Sequence, residues 1–255
     1  MKVALVTGGT KRLGFEFAKA LVRGGYAVAL SYRSNPDAAA RAVEFLGKEE
    51  GGRAEAFRAD LAADDAPLRL FEEIFSSSLF SPSPPSSSSR FPPRLDALVH
   101  AASPWIPKPF PSVTVDDWEA VFRAGPRAAF FLAQAAAPEL ARSSGSILLV
   151  SDVAATQAWP SHVPHAAAKA AINALVRNLA VALGPSVRVN AIAPGVVMPP
   201  ADMKPEAVAA LVAKTALGRQ VAIADLMAMA VAILENRSMT GQVVTVDAGR
   251  TLSGE

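Results

Sequence analysis

Short apolar segments alternate with longer stretches of helical periodicity along nearly the whole chain. The short segments are typical of buried strands, and the longer ones have the apolar spacing of amphipathic helices. The strand candidates are 2–7, 26–32, 53–59, 95–101, 146–151, 187–193 and 242–247, and the helix candidates are 13–24, 36–50, 64–76, 116–141, 162–183, 205–214 and 222–235. This alternation predicts a single doubly wound α/β domain of the Rossmann type over residues 1–255, with a seven-stranded parallel sheet.

One segment interrupts the alternation. Serine and proline dominate 76-SSSLFSPSPPSSSSRFPPR-94, so it buries too little apolar surface to offset the entropy of ordering. We expect a flexible surface insertion at 76–94, between the third helix and the fourth strand.

Composition narrows the function classes. The 25 basic and 23 acidic side chains are scattered along the chain, which argues against nucleic acid and membrane surfaces as partners. There is no cysteine, and the three histidines lack zinc-ligand spacing, so we expect no metal site. The beginning of the chain does not resemble a signal peptide. These features favour a soluble cytoplasmic protein that acts on a small molecule.

A glycine-rich turn, 7-TGGTKRLG-14, follows the first strand and leads into a helix. Such a turn lets backbone N–H groups approach a pyrophosphate at the N-terminus of the helix, so it predicts nucleotide binding. The end of the second strand, 30-LSYRSN-35, has no acid to accept hydrogen bonds from a ribose 2′-OH. Arg33 and Ser34, with Lys11 and Arg12, would instead donate to a 2′-phosphate, which favours NADP(H).

The chain resembles the short-chain dehydrogenase/reductase family over almost its whole length. Thr7, Gly8 and Gly14 match the family's TGxxxGxG motif, and Arg12 replaces its middle glycine, as in the KRLG of pteridine reductases. The stretches 60-DL-61, 190-NAIAPG-195 and 240-TGQVVTVDAG-249 are further family marks. The resemblance implies cofactor contacts from Gly8, Thr10, Lys11, Arg12, Leu13, Gly14, Tyr32, Arg33, Ser34, Asp60, Leu61, Ala101, Ala102, Ser103, Lys169, Pro194, Gly195 and Val197.

The same resemblance places the catalytic residues, and several depart from the family pattern. The family uses a serine, a tyrosine, a lysine and an asparagine, and these positions are held here by Asp152, His165, Lys169 and Gly125. Pteridine reductases also carry aspartate at the serine position. The asparagine that holds a water relay in the family is missing, and the family's NNAG motif is changed to 100-HAAS-103.

A histidine in place of the tyrosine leaves two interpretations open. Imidazolium is a good proton donor and neutral imidazole a poor one, so an active enzyme would have to keep His165 charged. Asp152 would favour the charged form and Lys169 would oppose it. The alternative is a catalytically degenerate protein that binds NADP(H) in a binding or regulatory role. His100 and His162 are interpreted as structural.

The substrate region is expected after the fourth strand, in 103-SPWIPKPFP-111. Trp105 falls on the position whose aromatic ring stacks on the pterin in pteridine reductases, so the resemblance implies reduction of a flat, pterin-like heteroaromatic or a carbonyl compound. The segment 196–212 is the family's variable region over the substrate. Because two long alanine-rich helices correspond to the family's four-helix dimer interface, a homotetramer is implied.

Overall fold

The computed structural model describes residues 1–48, 50–77 and 94–252 of the 255-residue chain. Seven parallel strands form one sheet in the order β3-β2-β1-β4-β5-β6-β7. The strands are β1 Lys2–Thr7, β2 Tyr26–Tyr32, β3 Ala54–Arg58, β4 Ala97–His100, β5 Ser146–Val150, β6 Arg188–Pro194 and β7 Val243–Val246. The predicted doubly wound fold with a seven-stranded parallel sheet is confirmed.

Eight α-helices join and cover the strands in the described part of the chain. They are α1 Arg12–Arg23, α2 Pro36–Lys48, α3 Ala66–Ser76, α4 Val115–Phe122, α5 Ala128–Ser143, α6 Val163–Leu183, α7 Pro205–Ala213 and α8 Ile223–Glu235. Successive strand residues point to opposite faces of the sheet, and both faces are covered. Leu5 and Leu98 pack in the core on one face, with residues of α5 and α6, and Val6 and Val99 pack on the other, with residues of α1 and α8.

The strand order reverses between β1 and β4, which are paired neighbours in the sheet. Ligands of open α/β sheets bind beyond the carboxyl ends of the strands at such a reversal. Thr7 and His100 end these two strands and are register partners. The candidate site is therefore built around this pair.

The prediction of one helix over 116–141 is wrong. A π-helical turn, Arg123–Arg127, separates α4 from α5, and Gly125 within it has non-helical angles (φ −92°, ψ −109°). Pro126 has no N–H to donate, so the helical hydrogen-bond ladder is broken at this point. The break places the backbone of Gly125 beside His100, with consequences for the site described below.

Helix α6 is the one helix among the described residues whose length and composition would also suit a membrane span. It packs along β6, and its buried residues include His165 and Lys169. A core helix of a soluble fold has these properties. Most of the predicted insertion at 76–94 lies outside the described residues, which end at Ser77 and resume at Arg94.

Substitution of Gly14 by alanine should destabilise the fold. A Cβ at Gly14 would lie 2.1 Å from the carbonyl oxygen of Gly8, so the backbone of the turn would have to move. We expect a loss of about 1–3 kcal/mol in the free energy of unfolding, as for overpacked sites, measured by urea denaturation. Gly47→Ala in α2 is the control, because its Cβ would meet only the Gly52 oxygen at 4.0 Å. Equal stability of the two variants would contradict the close packing at Gly14.

Candidate active site

The glycine turn brings the backbone of β1 and α1 close together. Gly8 has a positive φ of +63°, and Gly14 lies directly over the Gly8 carbonyl, with no room for a side chain. The turn leads into the N-terminus of α1, which begins at Arg12. The amide groups at the N-terminus of α1 and the helix dipole suit a phosphate, so these residues fit the pyrophosphate of a dinucleotide.

Arg12 stands where the family motif has glycine, and its backbone shows why glycine suits that position. Its φ of +49° lies in the left-handed region, which an L-residue adopts at some cost. The exposed guanidinium donates a hydrogen bond to the carbonyl of Met198. Arg12 thereby ties the glycine turn to the segment after β6, and neighbouring Lys11 is also exposed.

The end of β2 carries cations and no acid. Arg33 and Ser34 are both exposed just beyond Tyr32. Arg58, the register partner of Tyr32 in β3, donates from Nε to the Arg33 carbonyl at 3.3 Å. Arg58 therefore places a second guanidinium near Arg33. The sequence analysis did not predict a role for Arg58. Its position at the end of the adjacent strand was the available signal.

His100 joins three parts of the site through a buried hydrogen-bond chain. Its Nδ1 lies 2.9 Å from Thr7 Oγ1, and its Nε2 lies 3.2 Å from the carbonyl oxygen of Gly125. Thr7 Oγ1 also accepts from the backbone N–H groups of Ala101 and Ala102, at 3.2 and 3.3 Å. Because Oγ1 already accepts twice, its own proton goes to Nδ1, and Nε2–H donates to Gly125.

The surroundings keep His100 neutral. Burial and, to a smaller extent, the nearby charge of Lys169 together lower its pKa to about 4, while hydrogen bonds with the backbone of Ala124 and Gly125 oppose the shift. A neutral ring with one N–H is also what the hydrogen-bond chain requires. The sequence interpretation of His100 as structural agrees with these contacts, although the chain reaches into the site.

Lys169 lies one helical turn beyond His165 on α6 and is buried. Its Nζ donates to the Val150 carbonyl at 2.7 Å. Burial lowers the Lys169 pKa to about 8, partly offset by Asp152, so the ammonium stays largely protonated at neutral pH. Lys169 lines a small pocket with His100, Gly125 and Ser103, and its remaining protons can serve ligand hydroxyls there.

Asp152 and His165 form a pair at the end of β5. Asp152 Oδ1 accepts from the Ala154 N–H at 2.8 Å, which fixes the carboxylate, and Oδ2 lies 3.5 Å from His165 Nε2. His165 is only 5% exposed, and neither ring nitrogen has a hydrogen bond to another described residue. Ser151, the nearest serine in sequence, points elsewhere and donates to Asn173 at 2.6 Å.

Trp105 covers His165. Its ring centroid lies 4.7 Å from that of His165 and 4.5 Å from that of His162, and Trp159 packs edge-on at 6.5 Å. A backbone hydrogen bond of 3.1 Å from Lys108 to Ser161 ties the two loops together. The indole is 44% exposed, so one side remains open to a ligand.

The structure therefore brings Asp152, His165 and Trp105 into one cluster, and Lys169 faces the adjacent pocket. The amides of Ala101 and Ala102 are held by Thr7, and Ser103 is exposed beside them. The other residues predicted to bind the cofactor lie in the first turn of α1 (Leu13) or at strand ends and in the turns that follow them: Thr10, Asp60, Leu61, Pro194, Gly195 and Val197. Sequence reasoning missed the roles of Trp159 and His162, whose contacts with Trp105 join residues far apart in the chain.

Comparison with known proteins identifies the family. The family model described as enoyl-(acyl carrier protein) reductase matches residues 9–251. The chain belongs to the short-chain dehydrogenase/reductase family, as its motifs indicated. It is 36% identical over 196 residues to the hydroxynaphthalene reductase-like protein Arp2 of Metarhizium robertsii, an alignment that covers 76% of this chain and 67% of that protein.

Two solved structures with a bound dinucleotide have the same fold. The FolM alternative dihydrofolate reductase 1 from Brucella canis, complexed with NADP, superposes with a TM-score of 0.83 at 26% identity, covering 100% of this chain and 96% of that one. A blue fluorescent protein from a metagenomic library, in complex with NADPH, gives 0.85 at 28% identity, covering 98% and 97%. NADP and NADPH, bound in these two structures, are the cofactors that the sequence predicts for this chain.

Replacing His100 should change the acid stability of the protein. Because the folded-state pKa of His100 is about 4, below the ordinary 6.5, the unfolded chain binds its proton first as the pH falls. Stability is therefore lost between about pH 6.5 and 4. We expect His100→Asn to lose less stability over this interval than the wild type, measured as the free energy of unfolding at several pH values. Parallel curves for the two proteins would contradict a buried neutral His100.

Proposed function

We propose that this protein is an NADPH-dependent reductase in which His165 donates the proton. The observation that carries the proposal is the Asp152–His165 pair at 3.5 Å, with Lys169 one helical turn beyond His165 on α6. The family supplies the class of reaction, which is oxidation or reduction of a small molecule. The assignment of individual residues is our inference from their positions.

The cofactor site would be held by this chain's own groups. The turn at Gly8 and Gly14 would receive the pyrophosphate, and Arg33 and Arg58 would pair with the 2′-phosphate. Lys169 would donate to the nicotinamide ribose. When the cofactor is bound, the nicotinamide ring supplies the hydride of the reduction. NADP and NADPH in the two structural neighbours support this choice over NAD(H).

The charge state of His165 decides whether the site can act. The carboxylate of Asp152 lies close enough to pair with imidazolium, and the Trp105 ring packs against His165 at a steep interplanar angle of 71°. The nearby ammonium of Lys169 opposes a charged ring. Because Asp152 Oδ1 is committed to a backbone N–H, its free oxygen stays oriented toward Nε2. The protonated ring can then transfer its proton to the oxygen or nitrogen of a substrate C=O or C=N bond, while the carbon of that bond takes up the hydride.

A flat aromatic ring system is the substrate class that the cluster suits best. The open side of Trp105 offers a stacking surface next to the proton donor. The names of two relatives, a hydroxynaphthalene reductase-like protein and an alternative dihydrofolate reductase, also refer to bicyclic compounds. We propose a pterin-like heteroaromatic or a related cyclic carbonyl compound, reduced by a cytoplasmic, single-domain enzyme. The alanine-rich α5 and α6 support a homotetramer.

A second function is favoured by the burial of His165. Its ring is covered by Trp105 and lacks a hydrogen-bond partner among the described residues, and the relay asparagine is replaced by Gly125. A protein that binds NADP(H) in a regulatory role without turnover would have such a site. Tight NADPH binding without oxidation on any of a panel of pterins, dihydropterins and ketones would support this alternative. Turnover that Lys169→Ala abolishes would exclude it.

The cofactor assignment predicts a strong preference for NADPH over NADH. The double variant R33A/R58A should lose about tenfold to a hundredfold in NADPH affinity, the range for losing a hydrogen bond to a charged group, with little change for NADH. Fluorescence titration measures both. Lys48→Ala is the control, because Lys48 lies at the far end of α2 and pairs with Glu44. Equal or stronger binding of NADH by the wild type would contradict NADP(H) as the cofactor.

Variants of His165 test the proton donor. His165→Ala should lower kcat by about two orders of magnitude, within the range for one general acid. Reduction by the wild type should decline as the pH rises, because imidazolium is the active form. His165→Tyr should retain or increase turnover and extend it to higher pH. An unchanged rate and pH profile in His165→Ala would remove His165 from the mechanism and leave Asp152, or a water it holds, as the proton source.

A further inference from the structure

His165 is almost completely buried on α6. The pocket lined by Lys169, one helical turn further along the same helix, contains two titratable groups, His100 and Lys169. His100 is neutral at working pH, and its only ring proton is directed to the Gly125 carbonyl. Lys169 is buried against the Val150 carbonyl. Neither group connects His165 to bulk solvent among the described residues, although each reduction would remove one proton from His165.

His162 is a titratable neighbour of His165 that reaches the surface of the molecule. His162 immediately precedes α6, and His165 follows it by three residues, so both rings lie at the first turn of the helix. Both pack against Trp105, with centroid distances of 4.5 and 4.7 Å. His162 is half-buried, in contrast to His165. Its Nδ1 lies 3.0 Å from Ser161 Oγ, on the surface of the molecule.

We propose that His162 is a proton-relay residue, which returns a proton from solvent to His165 after each reduction. The proposal rests on the proposed function. In each cycle the substrate takes one hydride, and one proton from the imidazolium of His165. Neutral His165 then accepts a proton from the imidazolium of His162 through a bridging water, because neither ring nitrogen of His165 bonds directly to another described residue. A buffer acid or hydronium ion restores the proton on His162, which balances the cycle.

The charges around the two rings suit a transfer in this direction. The titratable groups that act on His162 are His165 and Asp152, and the aromatic neighbours Trp105 and Trp159 carry no charge. Burial lowers the pKa of His162, and the charge of His165 lowers it further, whereas Asp152 raises it. Two adjacent imidazolium ions repel each other, so His162 loses its proton more readily while a charge remains on His165. Once His165 has given up its own proton, its neutral ring can accept the proton of His162.

Asp152 is the competing route, because its side chain is 21% exposed and touches His165. A carboxylate accepts hydrogen bonds and has no proton to donate, and Asp152 Oδ1 is already committed to the Ala154 N–H. Imidazole titrates near 6.5 and exchanges protons readily at neutral pH. His162 is therefore better suited than Asp152 to carry protons between solvent and His165.

Buffer rescue tests the relay. We expect His162→Ala and His162→Gln to lower kcat at least about tenfold at pH 7–8, less than loss of the general acid itself, with little change in KM. Added imidazole should restore kcat in proportion to its concentration, and Lys48→Ala should show neither effect. Both His162 variants should fold, because the side chain makes no helix-capping hydrogen bond. Wild-type turnover in both variants, or no response to imidazole, would overturn the relay.

A titration without turnover gives a second readout. The chain has three histidines, so their ring protons can be assigned by NMR from single replacements. We expect the pKa of His162 to rise in His165→Ala, because the opposing charge is removed. An unchanged pKa would show that the two rings are uncoupled and would overturn the proposal. A wild type that oxidises no NADPH with any substrate contradicts the proposed function itself, whereas turnover that survives loss of His162 contradicts only the relay.

Discussion

The buried ring of His100 holds the site together. One nitrogen meets Thr7 at the end of β1, and the other meets the Gly125 carbonyl in the π-helical turn. Thr7 in turn fixes two amides of the loop after β4. A buried polar group that loses its partner costs on the order of 1–3 kcal/mol, so these contacts depend on one another. The hydrogen bonds of His100 and Thr7 therefore hold three parts of the site in place: the glycine turn for the cofactor, the loop of Trp105, and the break between α4 and α5.

The contact of His100 with the Gly125 carbonyl also shows how the chain accommodates Gly125 at the position where the family has an asparagine. Gly125 and Pro126 distort the helix, and the distortion turns the Gly125 carbonyl toward His100. The carbonyl is satisfied by a side chain of the protein itself. Lys169 lies across the same pocket, held by the Val150 carbonyl. Both ring nitrogens of His100 are thus hydrogen-bonded, whereas Trp105, on the loop after β4, is partly exposed.

The sequence was sufficient for the fold because alternating strands and helices leave few topologies for one sheet. The glycine turn and the Asp152–His165 pair could also be located, since motif spacing places residues at known strand ends. The break at Gly125 was missed even though Pro126 marks it, because the apolar periodicity continues on both sides. The contacts of Trp105 with Trp159 and His162 join separate loops, and neither periodicity nor local motif encodes such tertiary contacts.

The position of Trp105 has a thermodynamic consequence for any ligand. Its indole rests against His165 and His162, so a ligand that reaches His165 competes with contacts already made within the protein. The observed dissociation constant is then the intrinsic one divided by the fraction of molecules in which the ring has moved aside. Selectivity among ligands can thus be adjusted through the loop that carries Trp105, without altering a single group that touches the ligand.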